Sequence, residues 1–443
     1  MTDFASTIAA ALGSSMPVDV TSTRHGVGHL PSVYAVTDLA TASIEAAGRE
    51  IAALRGAQST DVDRRLASFW FDMTLRPQGW ELPSIWDDLA GDYATSDGWI
   101  RLHTNAPQHR AAALRALGCE GTKDAVTNAV AKRQKTELES AIVAQNGCAA
   151  AMLTEGEWAA HPQGKAVLSE PLIAWETTGQ TSPAPLKSME KLRILDLTRI
   201  LAGPVATRFL AGFGAEVLRI DPLDWEEPAA EPEVTLGKRC AGLDLRDTAD
   251  RKRFQTLLAQ ADVLVHGYRA DALEGLGLGS GTRAAINPNC IDVCLNAYGW
   301  SGPWTNRRGF DSLVQMSAGI AASGMQAANA SRPKPLPVQA LDHATGYLMA
   351  AAVLRGLRVR AATGEVMTAK LSLARTARLL VDAGPRNDAE MFAPETLTDC
   401  APHIEQTVWG PSQRITFPLS VSGITPHWRY PAGPLKTEEP VWT

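Results

Sequence analysis

The strongest constraint on the fold is a strand–helix–strand pattern near the middle of the chain. Residues 192–197 and 216–221 are short aliphatic runs, and each predicts a β-strand. Residues 201–215 between them have the apolar spacing of a helix. Two strands joined in this way lie parallel with a right-handed crossover, so the sequence predicts a parallel sheet covered by helices.

The same alternation continues further along the chain. Aliphatic runs predict three more strands, at residues 240–245, 263–266 and 290–295. Helical stretches lie between them at residues 249–260 and 270–276. Strand and helix therefore alternate throughout, which predicts an α/β fold with a Rossmann-like, doubly wound parallel sheet. Such sheets bind their ligands at the carboxyl ends of the strands.

A dinucleotide-binding domain has the same kind of sheet, but its sequence signature is absent. The first turn reads T-R-I-L-A-G-P-V-A and lacks the G-x-G-x-x-G that lets a pyrophosphate approach the backbone. The glycines of residues 275–281 follow a predicted helix rather than a strand. We therefore expect no NAD.

Composition and charge exclude other classes of function. Lys and Arg number 42 against 48 Asp and Glu, a net charge of −6 without a basic block, so we expect no nucleic-acid partner. No run of about 18 apolar residues is present, and the opening MTDFASTIAAALGSSMP has no Lys or Arg. We therefore expect no membrane span and no secretory leader. The six cysteines form no C-x-x-C pair, which favours a cytoplasmic location and no metal site.

A chain of 443 residues is long enough for about three domains. Its composition changes along its length. The first part is Ala-rich and mostly helical in its apolar period, and a polar stretch with Pro183 and Pro185 follows it. We predict a partial large-domain segment (1–94), a small α+β domain (95–176), a linker (177–191), a Rossmann-like domain (192–390) and a C-terminal return segment (391–443).

Five segments of the second half carry a resemblance to a known family. They read LRILDLTRILAGPVATRFLAGFGAEVLRID, GKRCAGLDLRD, ADVLVHGYRADALEGLGL, NAYGWSGPWTNRRGFDSLVQMSAGI and PVQALDHATGYLMAAAVLRGL. Together these segments resemble the class III CoA-transferases, the family of formyl-CoA transferase, carnitine-CoA transferase and α-methylacyl-CoA racemase. The resemblance implies that the Rossmann-like domain binds coenzyme A.

The first region resembles the family's other half, so the order of the segments is rearranged. LPSVYAVTDLATASIEAAGREIAALRGAQSTDVDRRLAS resembles the family's aspartate-bearing helix and the strand after it, and YATSDGWIRLHTN resembles the start of its small domain. The pattern D-x-x-T before an Ala-rich helix thus occurs twice, at Asp38 and at Asp342. We interpret Asp38 as the cap of a degenerate copy. Family members are interlocked homodimers, so the resemblance implies a homodimer.

The resemblance also implies an activity, the transfer of CoA between an acyl-CoA and a small carboxylic acid. An aspartate attacks the thioester to give a mixed anhydride, and the CoA thiolate returns to give an aspartyl-CoA thioester that the acceptor acid opens. Asp342 matches this catalytic aspartate. We expect it just before a helix that starts near His343, where N–H groups favour an anion. The same pattern is also that of an ordinary helix cap.

Two neighbours of this aspartate have alternative interpretations. His343 either relays a proton or only completes the first turn of the helix. Asp311 is either a carboxylate of the site or a cap of the helix that follows it. The racemase branch has a histidine where this chain has Phe310, and phenylalanine cannot accept a proton. An acyl-CoA racemase is therefore the second hypothesis, and Phe310 argues against it.

The resemblance places the CoA-binding residues on the loops that end the predicted strands, where cations meet phosphates and apolar groups hold adenine. They are Arg199, Leu201, Ala202, Lys238, Arg239, Leu243, Arg246, Tyr268 and Arg308. Some family features are missing. Gly267 replaces an asparagine, the acidic P-L-D-W-E-E-P follows Asp221, and RPQGWELPSIWDDLAGD replaces a glycine-rich lid. A non-catalytic CoA-binding homologue is the third hypothesis.

Overall fold

The computed structural model describes residues 3–13, 18–269, 271–386 and 390–443. Its helices are α1 (Phe4–Leu12), α2 (Val36–Arg55), α3 (Arg64–Phe69), α4 (Pro107–Leu117), α5 (Lys123–Val130), α6 (Lys135–Ala144), α7 (Glu155–Ala160), α8 (Pro162–Ser169), α9 (Ala202–Gly212), α10 (Glu231–Val234), α11 (Thr248–Leu258), α12 (Ala272–Gly275), α13 (Ser280–Ile286), α14 (Asp311–Ser317), α15 (Ile320–Ala327), α16 (Ala340–Thr363) and α17 (Leu373–Asp382). Its strands are β1 (Thr21–His25), β2 (Ser59–Asp63), β3 (Leu75–Pro77), β4 (Gly91–Thr95), β5 (Gly98–Leu102), β6 (Ala149–Ala151), β7 (Ala174–Gln180), β8 (Arg193–Leu197), β9 (Glu216–Asp221), β10 (Arg239–Gly242), β11 (Val263–His266), β12 (Ile291–Asn296), β13 (Glu365–Ser372), β14 (Glu405–Thr407), β15 (Gly410–Arg414) and β16 (Leu419–Val421).

A large sheet forms the centre of the second half. Within the described residues it has seven strands in the order β10-β9-β8-β11-β12-β13-β7, and the first six are parallel. Numbered along the chain from β8, these six stand in the order 3-2-1-4-5-6 of a doubly wound Rossmann sheet. The order reverses between β8 and β11, where Leu197 pairs with His266. The predicted α/β fold with a large parallel sheet is confirmed.

The strands of this sheet lie close to the predicted runs, with one clear difference. Strand β10 ends at Gly242, three residues before the predicted end at residue 245. The chain turns there because the Asp247 side chain accepts the N–H groups of Ala249 and Asp250 and so caps α11. Residue 270, the predicted start of the next helix, lies outside the described residues, and α12 begins at Ala272.

Strand β7 covers the first part of the predicted linker. It pairs antiparallel with β13, and Trp175 stands opposite Ala369. The open edge of β13 supplies backbone partners for this polar segment, which its own sequence does not reveal. The seventh strand therefore comes from the chain that precedes the Rossmann-like half.

The regular structure of the first region is mostly helical, as its apolar period predicts, and it also contains several short strands. Strand β1 has one half-buried residue among five, so it shows little apolar periodicity. Strands β1 and β2 pair in parallel, and β16 from the C-terminal segment completes their sheet. Strand β15 likewise pairs with β3. The two ends of the chain thus fold together.

The small domain has its own core and also packs on the Rossmann-like half. Its antiparallel sheet β4-β5-β6 buries one face against α4, α5 and α6, with a core of Leu89, Tyr93, Ile100, Leu102, Ala113, Val126, Val130, Leu138, Ile142 and Ala149. Cys148 and Ala150 on the other face pack on Leu313 and Met316 of α14. The small domain therefore contacts the Rossmann-like half directly.

Helix α16 lies at the centre of the molecule, with α2 and α9 packed along it. It is buried over residues 340–359, and most of its residues there are apolar, as expected for an enclosed helix. Neither α16 nor any other described helix is long and apolar enough to cross a membrane. Buried ion pairs join Glu50 of α2 to Arg355 and Arg358 of α16, each at 2.7 Å.

Helices α2 and α16 belong to two copies of one structural unit. Each is followed by a strand and a short helix, α2–β2–α3 in one copy and α16–β13–α17 in the other. The residues before the two helices have nearly the same backbone, with φ −76° and ψ 56° at Ala35 and φ −76° and ψ 61° at Gln339. The two segments thus share their order of elements and the backbone before the first helix, and their origin by duplication stays a prediction.

The contact between α16 and α9 requires a glycine. A Cβ on Gly346 would stand 2.4 Å from the carbonyl oxygen of Ala202 and 2.8 Å from Cβ of Val205. Both atoms belong to a buried helix and have little room to move. Gly346 thus lets α9 approach the first turns of α16.

We predict that Gly346→Ala lowers the free energy of unfolding by about 1–3 kcal/mol, because the added methyl group forces α9 away from α16. Thermal and urea unfolding measure the loss. Gly156→Ala on α7 is the matched control, since no atom lies within 4 Å of its Cβ position. Equal stability of the two variants would contradict the close approach.

Candidate active site

Asp342 lies in the first turn of α16, as its third residue. The helix begins at Ala340, and its N-cap is Gln339, which makes no side-chain capping bond. The predicted helix start near His343 is therefore wrong, and so is the alternative that Asp342 is the N-cap. Asp342 is 7% exposed. Its carboxyl group stands beside the N-terminus of α16 without being used to cap it.

Asp311 supplies the missing cap from another element. Its Oδ2 accepts the backbone N–H groups of Leu341 at 2.8 Å and Asp342 at 2.9 Å. Its Oδ1 accepts the side-chain amide of Gln315, whose Oε1 in turn accepts the N–H of Leu336 at 2.7 Å. Asp311 is the first residue of α14, so it caps a different helix from the one that the sequence suggested.

The two carboxyl groups perturb each other. Burial raises the pKa of Asp311 to about 6. Burial and the charge of Asp311 raise the pKa of Asp342 well above its usual range. Two buried carboxylates this close do not ionise together at low cost, so the pair keeps a proton into the neutral range.

Asp38 lies at the equivalent position of α2, but its carboxylate is surrounded by positive charge. It is the third residue of its helix, so it is not the N-cap that we expected. Its carboxylate forms ion pairs with Arg64 at 2.8 Å and with Arg386. No hydrogen bond or ion pair reaches the Asp342 carboxyl oxygens from the described residues. The duplicated unit therefore holds one neutralised and one available carboxyl group.

His343 is enclosed next to Asp342. Its ring stacks on Phe71 with centroids 5.2 Å apart, and its buried Nδ1 has no partner among the residues described. Burial, helped by the Arg208 cation, lowers the pKa of His343 to about 3. The ring is therefore neutral at pH 7, and its role as a proton relay stays a prediction.

A second cluster forms at the end of β8. The Arg199 guanidinium lies 4.8 Å from the Tyr268 ring and 5.1 Å from the Trp225 ring, and its Nη2 donates to the Tyr268 hydroxyl. Ile200 has φ 66°, a strained value for a β-branched residue. Leu201 is the N-cap of α9, and Ala202 is its first residue. The structure thus brings together four of the predicted CoA-binding residues at the switch point of the sheet.

The other predicted CoA-binding residues lie elsewhere. Lys238 is buried, and its Nζ donates to Asp196 and to the Pro204 carbonyl, both at 3.1 Å. Arg239 binds the C-terminal segment at the Val441 carbonyl, 2.7 Å away. Leu243 is a core residue. The exposed side chains are Arg246, paired with Asp244 and near Asp224, and Arg308, which donates to the Asn146 carbonyl.

The acidic run after Asp221 builds this turn. Glu227 accepts the N–H of Ile200 at 2.9 Å and the indole N–H of Trp225 at 3.2 Å. It also pairs with the fully buried Arg219, which binds Asp221 at 2.9 Å. Sequence reasoning missed Trp225 and Glu227. The unusual placing of Arg219 and Asp221 on one face of a buried strand is the signal that could have revealed a charge network here.

The fold and the site define a Rossmann-order α/β protein with an unpaired, desolvated aspartate at a helix start. Residues 189–388 match the model of CoA-transferase family III.

An acyl-CoA transferase of Gibberella moniliformis is 28% identical over 386 positions, covering 74% of this chain and 67% of that protein. The probable fatty acyl-CoA transferase of Mycobacterium tuberculosis is 33% identical over 194 residues, 41% of this chain and 49% of that protein. A crystal structure of a protein from M. tuberculosis shows 31% identity over 46% of this chain and 58% of that chain, with a TM-score of 0.41. The chain thus spans from about half to two thirds of the length of these relatives.

We predict that Asp311→Ala frees the first turn of α16, because two backbone N–H groups lose their acceptor. Hydrogen exchange followed by mass spectrometry should show faster exchange in the peptide that contains Leu341 and Asp342, and stability should fall by about 1–2 kcal/mol. Asp311→Asn keeps an oxygen acceptor and should protect this peptide more. Unchanged exchange in Asp311→Ala would show that Asp311 does not hold the helix start.

Proposed function

We propose that this protein transfers CoA from an acyl-CoA to a carboxylic acid and that Asp342 is the nucleophile. The observation that carries the proposal is the contrast between the two duplicated aspartates. Asp38 is neutralised by two arginines, whereas the Asp342 carboxyl is desolvated and unpaired within the described part of the chain. A carboxylate in a dry site is a stronger nucleophile than a solvated one.

The reaction proceeds through covalent intermediates on Asp342. The ionised Asp342 attacks the thioester carbonyl, the carbon–sulfur bond breaks, and CoA leaves as the thiolate. The thiolate then attacks the Asp342 carbonyl of the mixed anhydride, which releases the first acid and leaves an aspartyl-CoA thioester. The acceptor carboxylate attacks that thioester, expels the CoA thiolate and forms a second mixed anhydride with Asp342. The thiolate then attacks the acceptor carbonyl of this anhydride, which forms the new acyl-CoA and releases the Asp342 carboxylate.

The remaining parts of the site have supporting roles. Asp311 fixes the backbone around Asp342, and it raises the pKa of the nucleophile by its own charge. Arg199 with Tyr268 and Trp225 offers a cation between aromatic faces, which suits the phosphates and adenine of CoA. We leave Lys238, Arg239 and Leu243 out of the proposed site because their side chains are buried and used elsewhere.

The relatives support the choice of substrates. Their names include acyl-CoA transferases and, for Homo sapiens, a succinyl-CoA:glutarate CoA-transferase that is 31% identical over 205 residues. We therefore propose an acyl-CoA and a small carboxylic acid as the substrates, with coenzyme A as the carried group. The homodimer, the cytoplasmic location, the absence of metal and NAD, and the division into five segments stay predictions.

We predict that Asp342→Asn lowers kcat by at least about 1,000-fold, because the amide cannot form the anhydride. Exchange between acyl-CoA donors and carboxylic acids, followed by chromatography of the CoA esters, measures the loss. Wild-type protein mixed with acyl-CoA should carry a hydroxylamine-sensitive adduct on the peptide that contains Asp342.

Asp38→Asn is the matched control, since it changes the same position of the duplicated helix. It should keep activity within a few-fold, provided that its melting temperature shows an intact fold. A fully active Asp342→Asn variant would overturn the proposal. Binding of CoA by a wild-type protein that transfers nothing would favour the non-catalytic homologue instead. Solvent deuterium at the α-carbon without CoA exchange would favour the racemase.

We predict that Asp311→Asn extends activity to lower pH. The nucleophile works only when ionised, so wild-type kcat/KM should fall as the pH drops through the pKa values of the pair. Removing the charge of Asp311 lowers the pKa of Asp342, which moves the acid limb to lower pH. A pH–rate profile of both proteins measures this shift. An upward or absent shift would contradict the coupling.

A further inference from the structure

Strands β11 and β12 bring a histidine, an aspartate and a cysteine together inside the Rossmann-like half. The two strands are parallel, and His266 stands opposite Cys294 in their register. Side chains alternate along a strand, so Asp292 lies on the same face of the sheet as Cys294. One ring nitrogen of His266, one carboxylate oxygen of Asp292 and Sγ of Cys294 all lie within 4.8 Å of one another. The strand pairing therefore builds a compact group of three different electron-pair donors.

These three side chains are enclosed by the protein. His266 is 6% exposed, Cys294 is 3% exposed, and the side chain of Asp292 is 13% exposed. The sulfur of Cys294 is a free thiol. Reactive cysteines are normally partly exposed, whereas an enclosed thiol is poorly placed to attack a substrate that arrives from solution. The group is therefore better suited to hold a small ion than to act as a nucleophile.

Several polar atoms of this group have no hydrogen-bond partner. Both ring nitrogens of His266 and Oδ1 of Asp292 are buried and without a partner among the described residues. Nε2 of His266 and this Oδ1 stand 3.3 Å apart, but not in hydrogen-bond geometry. Buried polar atoms are nearly always paired, because each loses its bonds to water on burial. An unprotonated ring nitrogen and a carboxylate oxygen both offer lone pairs, and a cation between them would satisfy both.

The charged neighbours leave these donors available. Arg283 donates to Oδ2 of Asp292, from Nε at 2.9 Å and from Nη2 at 2.7 Å. Both bonds go to the same oxygen, so they fix the carboxylate without using Oδ1. Such an outer hydrogen bond is typical of carboxylates that bind metal ions. Lys370 stands opposite Cys294 on β13, and its charge is paired with Glu176 at 2.9 Å.

We propose that His266, Asp292 and Cys294 bind one Zn²⁺ ion. Thiolate sulfur and imidazole nitrogen are donors that zinc prefers, whereas Mg²⁺ and Ca²⁺ take oxygen ligands. Zinc bonds of about 2.0–2.3 Å place two ligand atoms of a tetrahedral site roughly 3.3–3.8 Å apart. The separation of 3.3 Å between His266 and Asp292 fits this value, and the limit of 4.8 Å on the sulfur is within reach of small side-chain rotations. The thiol releases its proton to solvent when it binds the metal.

This inference goes beyond the proposed CoA transfer and does not depend on it. It replaces the prediction of no metal site, which rested on the absence of a C-x-x-C pair. A site shared by two strands leaves no such spacing in the sequence. The metal ties β11 to β12 at His266, two residues before Tyr268, so it steadies the strand end that carries this ring.

Metal analysis tests the site with Zn²⁺ alone. The full chain is stripped with a chelator, dialysed, mixed with Zn²⁺ and freed of the excess before elemental mass spectrometry. The wild type should keep about one Zn²⁺ per chain, with a Kd below about 1 µM. Cys294→Ser and His266→Gln should each weaken binding by at least about 100-fold, because each removes one of three ligands. Saturating Zn²⁺ should raise the melting temperature of the wild type by about 3 °C and leave both variants unchanged.

Cobalt(II) in place of zinc reports whether sulfur is a ligand, because a thiolate bound to Co²⁺ adds a charge-transfer absorption in the near ultraviolet. The wild type should show this absorption, and Cys294→Ser should lose it. Cys290→Ser is the matched control, since it removes a thiol four residues earlier that is not part of the group. His403→Gln removes an exposed histidine. Both controls should keep the absorption and the zinc.

The possible results decide the question. A wild-type chain that takes up no Zn²⁺ at micromolar concentration would overturn the site and leave His266 and Asp292 as a plain ion pair. Equal zinc binding by the wild type, Cys294→Ser and His266→Gln would also overturn it, because the ion would then lie elsewhere. If these two variants fail to fold, the cobalt absorption of the wild type and of Cys290→Ser still shows whether a thiolate other than Cys290 binds the metal, and its absence from the wild type would overturn the site. CoA transfer by Asp342 is unaffected by each of these results.

Discussion

The site depends on the contact between the Asp311 carboxylate and the first turn of α16. One side chain accepts two backbone N–H groups of the helix that carries Asp342, at 2.8 and 2.9 Å. An exposed cap would stabilise the helix by about 1 kcal/mol and do little else. Here the cap is itself buried and charged, so it both fixes the position of the nucleophile and resists its ionisation. Structure and reactivity are therefore set by the same interaction.

The duplicated helix unit shows what distinguishes a reactive aspartate from a structural one. Backbone and position within the helix are nearly the same at Asp38 and at Asp342. The difference lies in the neighbours, since Arg64 and Arg386 neutralise the first carboxylate and no described cation pairs with the second. An ion pair lowers the nucleophilicity of a carboxylate because it stabilises the ground-state charge. The helix of the first copy, α2, instead binds α16 through the ion pair between Glu50 and Arg355.

The sequence was a good guide to local structure and a poor one to long-range contacts. Aliphatic runs located β8, β9, β11 and β12 because buried parallel strands need such residues. Strand β7 was missed because its partner is an edge two hundred residues away. Lys238 and Arg239 stand in a basic motif, but the segments that bury them, at Asp196 and at Val441, cannot be recognised from the motif. The same limit hid the approach of His266 to Cys294, which depends on the register between β11 and β12.

The C-terminal segment determines when the amino-terminal sheet can be completed during synthesis. Strand β16 completes the sheet begun by β1 and β2, and Glu438 hydrogen-bonds to the backbone of β10. The amino-terminal sheet therefore cannot be finished until residues 419–421 have left the ribosome. Until then the edge of β2 that pairs with β16 stays open.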